Sequence, residues 1–258
     1  MPRLPAALLL ALGAALLPPA AAAHVAPSAR ENNRYLTLTP LGDRVRLAYV
    51  VYIGEEPGRR ARARMDRDRS GRIDADESAA YAGEIAAEVA ARVEVAVDGR
   101  ALPLRFSEVH IGLGDDGVGG GSFAIDLVAW ICLERPREHL EHELRLVDRF
   151  EIPAPGESEL RVDPGPGVSV TSARFASDPA GAPARLERRW RGGPGPAAGG
   201  YQLSFTVDPS RAPFSDQPCA PAPARDGALW PYLVAAAALM TSVGLLALRR
   251  SRSAGRAS

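Results

Sequence analysis

Arg44-Val45-Arg46-Leu47-Ala48-Tyr49-Val50-Val51-Tyr52-Ile53 sets Val45, Leu47, Tyr49, Val51 and Ile53 at every second position. Side chains of a strand alternate between its faces, so this set predicts a strand with one buried face, and its β-branched and aromatic members suit that surface. Upstream, Tyr35, Leu36 and Leu38 lead into Pro40-Leu41-Gly42-Asp43, a turn that makes the pair a hairpin. Downstream, Val93 to Val97, the dipeptide Asp98-Gly99 and Ala101 to Phe106 predict a second hairpin, because Asp-Gly suits a two-residue type I′ turn. Val109 to Leu113 reads as its extension. Further strand patterns follow at Phe123–Leu133, Glu143–Ile152, Glu159–Val162, Val168–Phe175, Arg185–Trp190 and Tyr201–Val207. Strands at this spacing with Gly/Pro turns predict a β-rich, β-sandwich-like domain over residues 24–208.

Between the two hairpins the period changes. Glu55-Glu56-Pro57 resembles a helix start, with acids near the positive end of the dipole and Pro in the first turn, and Arg59 to Met65 continues it. Ser78 to Arg92 is rich in Ala and Glu, with Tyr81, Ile85, Val89 and Val93 at four-residue spacing, and predicts a second helix. The connection is Asp66-Arg-Asp-Arg-Ser-Gly-Arg-Ile-Asp-Ala-Asp-Glu77. Oxygen-bearing side chains stand at loop positions 1, 3, 5, 9 and 12: Asp66, Asp68, Ser70, Asp74 and Glu77. Gly71 is at position 6, where the backbone must turn sharply, and Ile73 is at the apolar position 8.

Position by position this loop resembles the EF-hand calcium-binding family. The resemblance implies a helix-loop-helix EF-hand over 55–92, inserted between strands, with Ca²⁺ held by Asp66, Asp68, Ser70, the carbonyl of Arg72, Asp74 and a bidentate Glu77. EF-hands usually work in pairs, and no second loop of this kind follows, so the resemblance implies that the β domain braces this one.

The two ends place the domain. Residues 1–23 carry Arg3, an apolar run from Leu8 to Leu17, Pro18-Pro19 and Ala21-Ala22-Ala23, the order of a secretory signal peptide. Trp230 to Leu248 is nineteen uncharged residues with Trp230 and Tyr232 at one end and Arg249-Arg250 at the other. That length and flanking predict one membrane-crossing helix, with the basic tail 249–258 in the cytoplasm and the domain outside it, periplasmic or extracellular. Residues 209–229, with several prolines, read as an extended linker. The same C-terminal order is similar to sorting tags that some bacteria cleave after export.

All 31 acidic residues lie within 24–229, against 26 Arg, so the exported part is net acidic, which argues against a nucleic-acid partner. Cys132 and Cys219 sit where a disulfide is permitted; pairing requires the Pro-rich linker to fold back, and a buried free Cys132 is the other reading. His139 and His142 lack the H-E-x-x-H spacing of a zinc protease and read as solvated. His24, exposed as a new N-terminus, would pair an amino group with an imidazole, nitrogen donors suited to copper or nickel. The six glycines from Gly112 to Gly121 are followed by no Lys, as a phosphate cradle would require, and read as a flexible hairpin loop. No serine has the context of an activated nucleophile, so the expectation is not an enzyme.

A second resemblance rests on Asn33-Arg34-Tyr35, Arg44-Val45-Arg46-Leu47-Ala48-Tyr49-Val50, Val97-Asp98-Gly99 and Arg145-Leu146-Val147-Asp148-Arg149. Together with the Asp-rich loop they are similar to the extracytoplasmic domain of some nickel/cobalt transporters, over roughly residues 30–150. It implies an accessory or sensing subunit of such a metal transport system, touching a membrane-protein partner. The chain departs from those transporters in having one span. The leading expectation is therefore a calcium-binding, single-pass extracytoplasmic protein whose one EF-hand is structural and whose domain is an interaction or binding module.

Overall fold

The computed structural model describes residues 29–134, 140–215 and 219. Residues 1–23, read as a signal peptide, together with His24, His139, the segment 230–248 and the basic tail, lie outside the described residues. No helix among the described residues is long and apolar enough to cross a membrane.

The chain is β-rich, with two sheets and two α-helices among the described residues. β1 (Asn32–Pro40) and β2 (Arg44–Ile53) form the first hairpin; α1 (Glu55–Met65) and α2 (Ala75–Arg92) follow. The chain then enters β3 (Val93–Val97), β4 (Arg100–Leu102), β5 (Glu108–Gly112) and β6 (Phe123–Cys132). The last strands are β7 (Glu141–Asp148), β8 (Pro155–Val162), β9 (Val168–Phe175), β10 (Glu187–Arg191) and β11 (Tyr201–Val207). One sheet runs β10-β8-β1-β2-β6-β5 and the other β4-β3-β7-β11-β9. From β6 onward successive strands alternate between the sheets, so one core is shared. The helical pair fills the crossover from β2 in the first sheet to β3 in the second.

The alternation in β2 is realised residue by residue: Val45, Leu47, Tyr49, Val51 and Ile53 are all buried. β2 pairs with β6 along its whole length, from Arg44 opposite Cys132 to Ile53 opposite Phe123. Leu36, Leu38 and Leu160 from the first sheet and Leu144, Leu146 and Leu203 from the second join the same core. Each such side chain contributes about 1.5–3 kcal/mol on burial. β1 and β8 pair in parallel; the remaining neighbours are antiparallel.

Asp98 and Gly99 both have positive φ, 50° and 78°, as the type I′ turn requires. Two expectations need correction beside it. Strand β4 stops at Leu102, well short of Phe106, because Pro103 has no N–H to continue the ladder. β5 does not extend this hairpin but pairs with β6 in the other sheet. His142 is also unlike the solvated residue expected: it is buried on β7, its Nδ1 lies 2.9 Å from Asp98 Oδ2, and its ring leans on Phe205.

The two sheets are stapled by a buried ion pair. Arg34 Nη1 on β1 lies 3.0 Å from Asp148 Oδ2 on β7, with both side chains 0% exposed. Tyr49 Oη donates to the same oxygen at 3.0 Å, and Phe150 N donates to Oδ1 at 2.9 Å. Burial, and then the Asp148 carboxylate, push the Tyr49 hydroxyl well above its ordinary value, so it stays a donor.

Cys132, at the end of β6, is disulfide-bonded to Cys219, so the linker does fold back. Its approach is visible: Ala212 is buried, Ser215 N donates to Asp43 Oδ2 at 3.3 Å, and a Cβ on Gly42 would lie 2.5 Å from Pro213 O.

Candidate metal centre

The loop between α1 and α2 is built by its own acids. Asp66 is the C-cap of α1, and its carboxylate accepts from Ser70 N at 2.8 Å and Gly71 N at 3.0 Å. Asp68 Oδ1 accepts from the same Ser70 amide at 2.9 Å. Arg69 and Gly71 take positive φ, 60° and 84°, which bends the backbone around these carboxylates. The Ser70 amide and hydroxyl hold the Asp68 carboxyl below the ordinary carboxylate range.

At the far end Asp74 is the N-cap of α2, with Oδ1 accepting from Glu77 N at 2.8 Å while Glu77 Oε2 accepts from Asp74 N at 3.2 Å. This reciprocal capping box fixes the helix start and the direction of the Glu77 carboxylate. Glu77 Oε1 reaches back across the loop to accept from Arg67 N at 2.6 Å. Glu77, 9% exposed, thereby ties the two helix ends together.

Asp66, Asp68 and Glu77 each present a carboxylate oxygen, and these oxygens lie within 4.8 Å of one another. Three carboxylates this close repel one another, and the amides that donate to Asp66 and Glu77 offset part of that repulsion. A hard divalent ion with oxygen ligands at about 2.3–2.6 Å fits such a set. The remaining candidates are arranged differently. Ser70 Oγ donates to the Arg72 carbonyl at 2.9 Å, so those two oxygens are paired with each other. Asp74 is engaged in the cap; position 9 of such loops often reaches the ion through a water.

Comparison with protein-family models and with curated proteins found no match for this chain.

Two features around the loop escaped the sequence reading. The first is Arg62, one turn before Asp66 on the buried face of α1 with Gly58, Ala61 and Met65, and 0% exposed. Its guanidinium donates to four carbonyls of the β5–β6 loop: Leu113 at 2.6 Å, Asp115 at 2.6 Å, Gly117 at 3.2 Å and Gly121 at 3.2 Å. Burial pulls its titration down, yet an arginine stays charged. The second is a strap of backbone bonds between the acidic loop and that same glycine-rich loop: Ile73 N donates to Asp116 O at 2.7 Å and Val118 N to Gly71 O at 3.2 Å. Arg72 and Gly117 form the bridge, and Arg72 also pairs with the Asp116 side chain. A cation interrupting the apolar face of a short helix was the available signal for Arg62. In a chain without lysine and rich in arginine, it was masked by arginine's general abundance.

Proposed function

We propose that this chain is a calcium-binding, single-pass, membrane-anchored extracytoplasmic protein, with one structural EF-hand inside an interaction module. The observation that carries the reading is the convergence of Asp66, Asp68 and Glu77 within 4.8 Å, in a twelve-residue loop with a helix at each end. The Cys132–Cys219 disulfide supports an oxidising compartment outside the cytoplasm. The uncharged run from Trp230 to Leu248 supports the anchor. The role of the ion is to neutralise the clustered carboxylates and fix the angle between the helices. A lone site facing the outside belongs in the weak affinity range, about 10⁻⁴–10⁻³ M, where ambient calcium keeps it filled.

Thermal unfolding of the full chain with calcium and with a chelator tests this. Calcium at a hundredfold excess over Kd should stabilise the domain by about 2.7 kcal/mol, and Glu77→Gln should remove most of that gain. Equal midpoints with calcium and chelator in the wild type, or stabilisation by nickel or cobalt alone, would refute the reading.

A further inference from the structure

The acidic loop has only one helix pair of its own, yet it is held from two sides. On one side Arg62 anchors the helix end that presents Asp66, whose amide donates to the Arg62 carbonyl at 3.1 Å. On the other, Ile73 and Gly71 are strapped to Asp116 and Val118 by backbone bonds. Both holds end in the same segment, residues 113–121 between β5 and β6. Two close approaches reinforce them. A Cβ on Gly58 would lie 2.4 Å from Gly121 O, so α1 lies directly on that backbone, and a Cβ on Gly120 would lie 2.8 Å from Arg62 Cζ. Arg62 also sits 5.5 Å from the centroid of Phe123, whose ring meets Tyr81 of α2 at 6.2 Å.

Among the described residues no carboxylate is recorded within ion-pair distance of Arg62; carbonyls take its hydrogen bonds, with the Phe123 ring beside it and the Asp115 charge acting from farther off. Those carbonyls belong to a segment rich in glycine, the residue that loses most backbone entropy when fixed. The segment therefore stays in place only while α1 and the acidic loop hold their positions. The acidic loop in turn holds its position most firmly when its carboxylates are neutralised.

We propose that residues 113–121 act as the second half of the calcium module, with Arg62 as its positioning residue, so that calcium binding at 66–77 and ordering of 113–121 are one linked event. The proposal rests on the calcium reading above. Linkage is reciprocal: if calcium tightens the segment, loosening the segment weakens calcium by the same factor. Edge strand β5, which runs into this segment and carries the exposed Val109, then presents its outer edge in a calcium-dependent state.

The test is hydrogen exchange of the full chain with calcium and with chelator, combined with calcium titration of variants. Calcium should slow exchange at Ile73, Val118 and Gly120, whose amides donate across or within the glycine-rich segment. Glu77→Gln should abolish that calcium effect. Arg62→Met should weaken calcium binding by about 5–150-fold although Arg62 does not touch the ion, while Arg59→Met, on the exposed face of the same helix, should change it less than about twofold. Gly120→Ala, which pushes the guanidinium off its seat without removing the charge, gives a second reading should Arg62→Met fail to fold.

Wild-type protein that binds calcium with no change in exchange across 113–121 would overturn the linkage while leaving the calcium site standing. So would Gly120→Ala and Arg62→Met binding calcium as the wild type does. Absence of calcium binding in the wild type overturns both.

Discussion

Arg34 and Arg62 are both completely buried, and the chain meets the two charges in opposite ways. Arg34 faces a carboxylate, Asp148, inside the sandwich, with Phe150 O and Ser158 Oγ taking further donors at 2.9 and 3.3 Å. Its partners sit on regular strands or immediately beside one, so the pair is fixed by the same ladders that make the sheets. Arg62 gives its hydrogen bonds to main-chain oxygens of a loop that is held by one isolated bridge and by no extended ladder. The first arrangement is a permanent staple between sheets. The second is a latch, as secure as the loop that closes it. A buried charge thus serves as fastening where a counter-charge is built in, and as coupling where it is not.

The largest effect is expected at the staple. Asp148→Ala leaves Arg34 buried without its counter-charge and should cost about 3–5 kcal/mol in denaturant unfolding. The paired replacement Arg34→Met with Asp148→Leu should recover most of that, because the desolvation of both charges disappears together. Neither should change the calcium dependence of exchange at 113–121.

The disulfide comes next. Cys132 and Cys219 are 87 residues apart in sequence, and Cys219→Ser should cost about 2–4 kcal/mol of global stability. Calcium affinity should stay as in the wild type, since the bridge lies at the end of β6 remote in sequence from the acidic loop. Arg62→Met should cost less globally, about 1–3 kcal/mol for carbonyls left without donors, while its calcium affinity falls. That reversal, small in stability and large in binding, is what separates latch from staple.

The smallest effect belongs to a partly exposed pair. Asp178 takes a two-pronged contact from Arg188 at 2.6 and 3.0 Å, and this, with the Phe175 amide, holds its carboxyl below the ordinary value of 3.8. A carboxyl lowered on folding adds stability above its unfolded value and loses it as pH falls from there through the folded value. Asp178→Asn should therefore flatten the acid side of the stability profile below about pH 4, and cost under about 1 kcal/mol at neutral pH.

How much of this was legible in the chain follows the same division. The strands were legible because one face of each is buried, and period two writes that into the sequence, as Val45 through Ile53 show. The acidic loop was legible as a run of oxygen-bearing side chains at fixed offsets, and three of them, Asp66, Asp68 and Glu77, lie together. Assignment of β5 to the other sheet was not legible, since Val109 and Ile111 pair with β6 only through a loop whose closure local pattern does not encode. Burial of His142 was hidden for a similar reason: its neighbour Phe205 comes from a strand far along the chain. The Arg62 latch depends on carbonyls, and carbonyl positions leave no trace in side-chain identity. Pairing of Cys132 with Cys219 required knowing that residues 211–215 lie back on the domain.

We propose that the loop from Asp66 to Glu77 holds one calcium ion. Titration calorimetry of calcium into the full chain, beside the Glu77→Gln variant, tests it most directly. The expected result is one site per chain with Kd in the range of about 10⁻⁴–10⁻³ M, and binding in the variant at least about tenfold weaker. No calcium heat in the wild type, or the same isotherm from Glu77→Gln, would contradict it.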